Sequence, residues 1–373
     1  MSIWTIEPRD RLILGDGRPK DAVGHRAASL DLPLPTTIAG AIRARIGRDA
    51  TGHFGLSTEQ ALQIAVHGPL LTELGQSNGW LVPAPADALW HKKDDGSFVL
   101  RRLRPRPLAE GVQSDMPYAL QHVAIAPDAR PLPGKPARGP GLWRWSEFER
   151  WLSAPLLDQD VPADTPSSPD RPRYGLPLPL HDERIHVALE PGGRTAMDGA
   201  LFSFDGIRLQ TPSRARLALT CHCADARLEA GMLTLGGKRQ QSYLDPLEDA
   251  AWPEKPSDPP AGDVWRVMLL TPAVFQDGFL PAKGQLFGQQ VIAAAVDRPQ
   301  GLHGWDVRRN KTGRQRGPKP LRWMARAGSV YWIKAPASDN ARADLLTRMW
   351  LQPCSDDEQH RRDGLGLIVV GRA

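Results

Sequence analysis

Hydrophobic and polar residues alternate at the start of the chain in a way that is typical of a short, half-buried strand. Residues 2–6 carry this alternation, and Pro8 then interrupts it because proline has no N–H to donate to a neighbouring strand. An apolar run resumes at residues 12–14. Gly15, Asp16 and Gly17 follow it and predict a tight turn, since glycine adopts positive φ and aspartate bonds the local backbone.

The next segment has the spacing of a helix. Ile38, Ile42 and Ile46 recur at every fourth position, which places their side chains on one face. Thr36 or Thr37 is the expected N-cap. The small residues among them predict a helix that lies close against a sheet.

Further helices and many strands follow. Capping boxes, in which serine is followed three residues later by glutamine or glutamate, predict helices at Ser57 with Gln60 and at Ser146 with Glu149. Another helix is expected at residues 341–350. Strand patterns occupy residues 80–82, 98–103, 184–190, 201–209, 214–220, 232–235, 265–270, 290–296, 321–324, 329–334 and 365–370. Strands with a few interposed helices predict an α+β protein.

Proline, serine and aspartate crowd residues 154–183, a composition that is typical of a linker or a long surface loop. The 373 residues of the chain are enough for two domains. We therefore predict an N-terminal domain at residues 1–153, the proline-rich linker or loop at 154–183, and a C-terminal domain at 184–373.

Composition narrows the class of protein. The net charge of +5 and the arginine content are compatible with nucleic-acid binding. Three cysteines exclude an extensive disulfide framework and favour a reducing compartment. No apolar run approaches the length of a membrane span, and the N-terminus lacks the pattern of a signal peptide. We expect a cytoplasmic protein with no membrane partner.

The sequence Cys221-His222-Cys223 has the residue types of a metal site. Successive residues of a strand face opposite ways, however, and Cys354 is the only other thiol, so buried strand cysteines are the default interpretation. No phosphate-binding P-loop, dinucleotide fingerprint or His-Glu-x-x-His motif occurs in the chain. We predict no metal and no cofactor.

The most basic part of the chain is the segment 306–326, in which Asp306 is the only acid and which Trp305 and Trp323 bracket. Its cations are Arg308, Arg309, Lys311, Arg314, Arg316, Lys319, Arg322 and Arg326. Glycine and proline predict a loop in its middle, and such a loop can follow a phosphate backbone while a tryptophan stacks on a base. A solvated surface loop is the alternative, and for Trp323 packing in the core is equally open.

Two smaller basic clusters are also open to two interpretations. Lys238 and Arg239 follow two glycines in a turn, where bare amides and cations could hold a phosphate, or where an ordinary hairpin turn could carry solvated cations. The second cluster lies beside two prolines, which indicate an extended edge. This edge could contact a partner protein or RNA, or it could simply be solvated. Its members are Arg101, Arg102, Arg104 and Arg106.

Several segments, taken in order along the chain, resemble one known family. They are the opening at residues 4–19 with its Glu-Pro-Arg-Asp, LPLPTTIAGAIR at 32–43, LFSFDGIRL at 201–209, GWD at 304–306 followed by AGSVYW at 327–332, and GLGL at 364–367. The chain resembles the RAMP-superfamily subunit that caps the guide-RNA 5′ end in type III-B (Cmr) CRISPR effector complexes. It departs from that family at Lys238, where an acidic residue is frequent.

The resemblance implies a fold and a function. The fold is two ferredoxin-like (RRM-like) domains with loop and hairpin insertions, and the second domain ends in a glycine-rich C-terminal loop. The function is that of a non-catalytic subunit, not an obligate homo-oligomer, which binds the 5′ repeat-derived tag of guide RNA (crRNA). Its implied protein partners are the large polymerase-like subunit and a backbone RAMP subunit of a ribonucleoprotein that supports antiviral defence by target RNA cleavage.

The residues expected to bind RNA are cations and one histidine, because arginine and lysine neutralise phosphates. They are Arg18, His25, Arg43, Lys238, Arg239, Arg308, Arg309, Lys311, Arg314, Arg316 and Arg322. The alternative function is a metal-independent endoribonuclease that processes guide-RNA precursors with His25 as acid or base. The sequence offers no second histidine, tyrosine or other base that completes such a site.

Overall fold

The computed structural model of the chain describes residues 2–15, 26–27, 29–49, 51–76, 78–125, 136–153, 159–161, 173–211, 214–248, 251–306 and 317–373. Within these ranges the fold is α+β, as predicted, with many strands and few helices. The helices are α1 Pro35–Gly47, α2 Thr58–Gln63, α3 Trp145–Ser153, α4 Asp339–Met349 and α5 Glu358–Arg362. Single 3₁₀ turns occur at Pro117–Ala119, Gly237–Arg239 and Ala282–Gly284.

The strands run through the described part of the chain. They are β1 Ile3–Pro8, β2 Arg26–Ala27, β3 His67–Glu73, β4 Trp80–Pro83, β5 Ala88–Lys92, β6 Phe98–Arg102, β7 Arg104–Arg106, β8 His122–Ala124, β9 Pro136–Ala137, β10 Leu142–Arg144, β11 Gln159–Val161, β12 Gly175–Leu176, β13 Leu180–His181, β14 Arg184–Leu189, β15 Ala196–Phe204, β16 Ile207–Arg208, β17 Leu217–His222, β18 Gly231–Leu235, β19 Gln240–Pro246, β20 Val264–Leu269, β21 Gln285–Leu286, β22 Gln289–Ala295, β23 Gln300–Leu302, β24 Trp305–Asp306, β25 Gly317–Pro318, β26 Arg322–Met324, β27 Val330–Lys334 and β28 Ile368–Arg372.

The first large sheet has eight strands in the order β12-β10-β4-β3-β17-β1-β19-β18. Strand β1 lies near its middle, with Thr5 opposite Thr220 of β17 and Asp245 of β19. Helix α1 covers one face of this sheet and contacts β3 and β18. Ile38 and Ile42 are fully buried in the core between helix and sheet, so the predicted helical stripe is confirmed.

The starts of the helices differ in part from the prediction. Helix α1 begins at Pro35, where the missing N–H of proline removes a donor that would otherwise lack a partner, and its N-cap is Leu34 rather than a threonine. The capping box of α2 is confirmed: Ser57 Oγ accepts from the Gln60 amide at 3.1 Å. Helix α3 begins at Trp145, so Ser146 lies inside the helix and the capping box predicted there is wrong.

The second large sheet has five strands in the order β21-β22-β27-β20-β28. Helix α4 contacts β28, and α3 from the other half of the chain packs on the same strand. Trp265 and Trp332 are completely buried here and belong to one core with Trp143 of β10. A single hydrophobic core therefore joins elements from both halves of the chain.

The membership of the sheets does not follow the predicted domain division. Strands β17, β18 and β19 lie beyond residue 184, yet they flank β1 in the first sheet. The hydrogen bonds of β1 with β17 and β19 are long-range contacts that local sequence patterns do not reveal. A boundary at 154–183 would cut this sheet.

The glycine-rich segment near the C-terminus lies inside the protein. Gly364 has a φ of +83°, and a Cβ on it would lie 2.7 Å from the carbonyl oxygens of Val66 and Gly68. Leu365 and Leu367 are completely buried. The glycine is needed because the backbone of this segment approaches the loop before β3 too closely for any side chain.

Candidate nucleic-acid interface

Four of the residues predicted to bind RNA lie in the part of the chain that the structure describes: Arg43, Lys238, Arg239 and Arg322. The other predicted contacts lie outside the described residues; they are Arg18, His25, Arg308, Arg309, Lys311, Arg314 and Arg316. The surroundings of the four described cations show which of them can take part in an interface.

Arg43 is buried, and its prediction as an RNA contact is corrected. Its Nη1 lies 2.5 Å from Asp363 Oδ1, and its Nε and Nη2 donate to the Ile64 carbonyl at 3.0 and 2.7 Å. Both partners of the ion pair are less than 10% exposed. The guanidinium therefore links α1 to the C-terminal segment instead of facing a ligand.

Lys238 and Arg239 form the tip of the β18–β19 hairpin, and both are exposed. The Gly237 amide donates to the Ile13 carbonyl at 2.6 Å, and a Cβ on Gly236 would lie 2.8 Å from the same oxygen. The Gly237 amide is thus used within the protein and is not free to hold a phosphate. The turn instead fixes two cations beside the segment that ends in Gly15.

Aromatic rings lie directly beneath Lys238. The Lys238 ammonium is 3.8 Å from the centroid of the Phe204 ring, a cation–π contact. Phe202 and Phe204 share one face of β15, and His186 of β14 lies opposite Phe202 with the two rings stacked at 5.6 Å. These half-buried rings are of the type on which unpaired bases stack. The i, i+2 spacing of the two phenylalanines was the only signal of this cluster in the sequence.

Arginines and one aspartate surround the base of the same hairpin. Buried Arg11 donates from Nη1 to the carbonyls of Asp182 and Phe204 at 2.5 and 2.7 Å, which fixes the end of β15. Arg184 and Arg208 both reach Asp182, and the hydrogen bond from Arg184 is the main reason that the pKa of Asp182 is lowered. Both arginines are about half exposed, with side chains 40% and 47% accessible.

We use the term Phe204 surface for these exposed cations and rings, a set that combines phosphate-binding and base-stacking side chains. Its members are Arg184, His186, Phe202, Phe204, Arg208, Lys238 and Arg239.

His181 connects this surface to the lead into α1. Its Nδ1 lies 2.6 Å from Asp205 Oδ2, and its Nε2 lies 2.9 Å from Asp31 Oδ1. Ionised carboxylates only accept, so the ring can donate to both of them at once only in its protonated form. Partial burial lowers the pKa of His181, but the bonds to Asp31 and Asp205 outweigh it, and the pKa is raised. Sequence reasoning missed this residue.

A cavity of about 430 Å³ lies next to this histidine. Residues 29–35, which include Asp31, form one wall, and Gln300 and Arg326 lie in another. Leucines supply much of the remaining lining. The size and the few polar groups are typical of a ligand pocket.

Arg322 and Trp323 are exposed on β26, the strand that ends the basic segment. Trp323 is 56% exposed, so packing in the core, which the sequence left open, is wrong. It lies opposite Gly301 of β23. The role of Arg322 in RNA binding stays a prediction.

The second arginine cluster is largely internal. Arg101 and Arg102 are buried, at 3% and 5% exposure, and only Arg104 and Arg106 on β7 are half-exposed. Arg102 lies over the Trp151 ring at 4.3 Å and donates to the Trp151 carbonyl. Its pKa is lowered to about 8, first by burial and then by the charge of Arg266. Arg101 and Arg102 are therefore core residues and not a partner-binding edge.

The cysteines and the helices set further bounds on the chemistry. Cys221, Cys223 and Cys354 are buried free thiols, and burial raises the pKa of each, so none is a reactive thiolate. No group of three or more metal-ligating side chains occurs among the described residues. Nor is any helix in the described ranges long and apolar enough to cross a membrane.

The described residues define an α+β protein with a cationic and aromatic surface where the β18–β19 hairpin meets β14, β15 and β16. Comparison with known proteins shows which family the chain belongs to. The family model for CRISPR-associated protein (Cas_Cmr3) matches residues 4–373. The chain belongs to this family, which confirms the resemblance predicted from its motifs.

Chains in several solved structures are similar to this chain, including two from type III-B Cmr-beta complexes. One is a chain in a cryo-EM structure of the type III-B Cmr-beta complex bound to cognate target RNA, with 14% identity and a TM-score of 0.49, over 98% of this chain and 96% of that one. The other belongs to the same kind of complex bound to target RNA and AMPPnP, with 13% identity and a TM-score of 0.44, over 88% of this chain and 86% of that one. No curated protein sequence matches the chain.

Proposed function

We propose that this subunit binds the 5′ repeat-derived tag of guide RNA in a type III-B CRISPR effector complex, and that it does so with the Phe204 surface. The observation that carries the proposal is the position of the Lys238 ammonium over the Phe204 ring, beside the stacked His186 and Phe202 rings. One small area thus presents both a cation that can bind a phosphate and aromatic rings on which a base can stack.

The physical mechanism is binding and not chemistry. Exposed Arg184, Arg208, Lys238 and Arg239 neutralise phosphates, which makes affinity depend on salt. Single-stranded RNA offers unstacked bases, and the rings of this surface stack on them. The 430 Å³ cavity beyond His181 offers a place for one such base. Holding the tag fixes the register of the whole guide RNA.

The proposal includes two protein partners and no catalysis by this chain. The large polymerase-like subunit and a backbone RAMP subunit dock on it, and other subunits cut the target RNA. His181 is not available as a general base, because both of its ring nitrogens are bonded to carboxylates.

We further propose two ferredoxin-like domains. In the second sheet the four main strands lie in the order β22-β27-β20-β28, which is 2-3-1-4 by chain position, and α4 connects the third strand to the fourth. Residues 270–288, all of which the structure describes, contain no α-helix between the first two strands. The first domain would take β17, β18 and β19 into its sheet in addition to the N-terminal strands.

The test is a binding experiment with the purified chain, alone and with its large subunit, on guide RNAs with and without the 5′ tag. Wild type is compared with Lys238→Ala/Arg239→Ala across a salt series. Arg348→Ala, which removes an exposed cation on α4, is the matched control. The RNA ends are examined for cleavage in every sample.

We expect tag-dependent binding without cleavage. The double variant should bind about tenfold or more weakly, and its log–log salt slope should be smaller by about 1.4, since each phosphate contact on a single strand contributes about 0.7. The control should match wild type. Site-specific cleavage, or equal affinity for RNAs with and without the tag, would refute the proposal.

A further inference from the structure

The loop between β7 and β8 is unusual in its exposure. All of residues 107–119 are exposed, whereas Leu120 directly after them is buried. Four large apolar side chains stand in this segment: Leu108, Val112, Met116 and Tyr118, at 36%, 54%, 41% and 45% exposure. Apolar side chains grouped on one projecting segment mark an interaction site.

The charge of the loop excludes RNA as its partner. Glu110 and Asp115 are its only charged residues, so the segment is acidic, in contrast to the basic segment 306–326. A phosphate backbone would be repelled from it. A protein surface that carries lysine or arginine around an apolar groove has the complementary charge.

One end of the loop is fixed to the body of the protein. Tyr118 Oη donates to Asp277 Oδ2 at 2.5 Å, and the Tyr118 ring lies on Gly284, where a Cβ would be 2.9 Å from the ring. Within the loop, the Val112 amide donates to Ala109 and the Met116 amide to the Ser114 hydroxyl, both at 3.1 Å. The apolar residues are thus presented from an anchored base.

A cavity lies at the foot of the loop. It measures about 420 Å³ and is lined mainly by apolar side chains, among them Met116, Phe279, Val296 and Trp323. Asp297 is the one charged residue in its lining, and it is ion-paired with Arg326 at 3.6 Å. We name this the Trp323 cavity. Its apolar lining suits an aliphatic or aromatic side chain of a partner.

We infer that the β7–β8 loop and the Trp323 cavity form one docking site for another protein subunit of the same effector complex. An apolar side chain of the partner enters the cavity, and a basic stretch of the partner lies against Glu110 and Asp115. The inference rests on the proposed function only in that this chain works within an assembly.

Photo-crosslinking in the assembled complex tests the site. The chain carries p-benzoylphenylalanine in place of Val112 in one preparation and in place of Ile185, exposed on β14, in the other. We expect the position-112 probe to crosslink a protein segment of another subunit in which lysine or arginine adjoins apolar residues. A crosslink to RNA, to an acidic segment or to nothing would overturn the inference.

Charge reversal provides a second test. In complexes without the crosslinker, the subunit identified by crosslinking should dissociate at least tenfold more readily in salt washes when the chain carries Glu110→Lys/Asp115→Lys. Trp323→Ala should also weaken its binding. Asp94→Lys/Glu229→Lys makes the same change in net charge at two exposed acids elsewhere and should behave as wild type. Thermal unfolding confirms that every variant is folded.

Guide-RNA binding is measured in the same preparations, which separates the two proposals. If the tag binds and no subunit is released by the loop variants, the docking site is wrong while the RNA function stands. If the tag does not bind and the crosslink forms, the RNA function is wrong while the docking site stands.

Discussion

The buried arginines where β20, α3 and β6 meet, and the exposed cations of the Phe204 surface, stand in opposite physical situations. Arg266 is 1% exposed and lies 2.5 Å from Asp87, which is completely buried. Trp151 Nε1 donates to the same carboxylate at 3.0 Å, and the Trp151 carbonyl accepts from both Arg266 and Arg102. By contrast, Lys238 and Arg239 are exposed, and the Lys238 ammonium lies over the Phe204 ring.

This difference shows which cations hold the fold together and which are available to a ligand. A charge removed from water is tolerated only where anions and carbonyls surround it, so its partners become part of the core. An exposed charge keeps its hydration until a phosphate replaces it. Burial therefore separates two functions that the same residue type can serve, and each of the following predictions changes one side of the comparison.

The largest effect is expected at Asp87. Asp87→Asn removes the buried anion that pairs with Arg266, and we expect the free energy of unfolding to fall by about 3–5 kcal/mol. Urea unfolding measures this. Asp94→Asn, at an exposed acid on the β5–β6 turn, should change it by less than about 0.5 kcal/mol. A loss below about 1 kcal/mol at Asp87 would contradict the role assigned to this network.

The next largest effect is expected at the ion pair of Arg43 and Asp363. Arg43→Met leaves a buried carboxylate unpaired, and we expect a loss of about 3 kcal/mol in the free energy of unfolding. A double-mutant cycle with Asp363→Asn should give a coupling above about 1 kcal/mol. Tagged-RNA affinity should not change, because the side chain is buried. Arg45→Met on the same helix is the control, and an RNA defect confined to Arg43→Met would restore the original assignment.

Two histidines should give stability opposite dependences on pH. Burial, and then the neighbouring His222, lower the pKa of His67 to about 4, so the unfolded chain binds a proton that the folded chain does not between pH 6.5 and about 4. The free energy of unfolding should fall through this window as pH is lowered, by at most about 1.4 kcal/mol per unit. His181 has a raised pKa, so its contribution is full below pH 6.5 and is lost as pH rises through the raised value.

Unfolding midpoints across pH 4–8 check both signs. In the plot of unfolding midpoint against pH, His67→Gln should reduce the slope on the acid side, and His181→Gln should reduce it near neutral pH. His53→Gln, at an exposed site, should change neither slope. An acid limb of unchanged slope in His67→Gln would show that other groups cause it.

The smallest effect on stability is expected at Lys238. Lys238→Met keeps most of the stem and removes an exposed cation–π contact, which is worth about 0.5–1 kcal/mol. We expect a change of no more than about 1 kcal/mol in the free energy of unfolding, while tagged-RNA binding weakens several-fold. Calorimetry and filter binding on the same sample compare the two. A large loss of stability would place Lys238 with the structural cations.

Local signals in the sequence were sufficient for much of the fold and for the family. The isoleucine repeat of α1, the capping box of α2 and the strands near β20, β22 and β27 depend on periodicity and on neighbours a few residues away. The motifs from residue 4 to residue 367 identified the family that the family model confirms. The buried cysteines were also anticipated correctly.

The candidate site was predicted only in part. The exposed cations Lys238 and Arg239 were singled out because a glycine turn marks them. Arg43, however, was predicted to bind RNA, and Arg101 and Arg102 were predicted to lie on an edge that contacts a partner or is solvated, whereas all three are buried. His181 was missed, because its two carboxylate partners are distant in sequence. The composition of a chain gives the number of its charged residues but does not show which of them are buried.

The sequence by itself determined the α+β class, the family and the secondary structure of many elements, since these follow from side-chain periodicity and from short motifs. It did not reveal β3 or β19, which are strands of the first sheet. Only the tertiary structure decided that β17, β18 and β19 complete the sheet of β1, and which cations face solvent. Strand pairing and burial depend on contacts between residues that can be hundreds of positions apart. Which of these contacts form is decided by the free energy of the whole packed chain. The same packing decides that Lys238 faces solvent over Phe204 while Arg43 lies against Asp363.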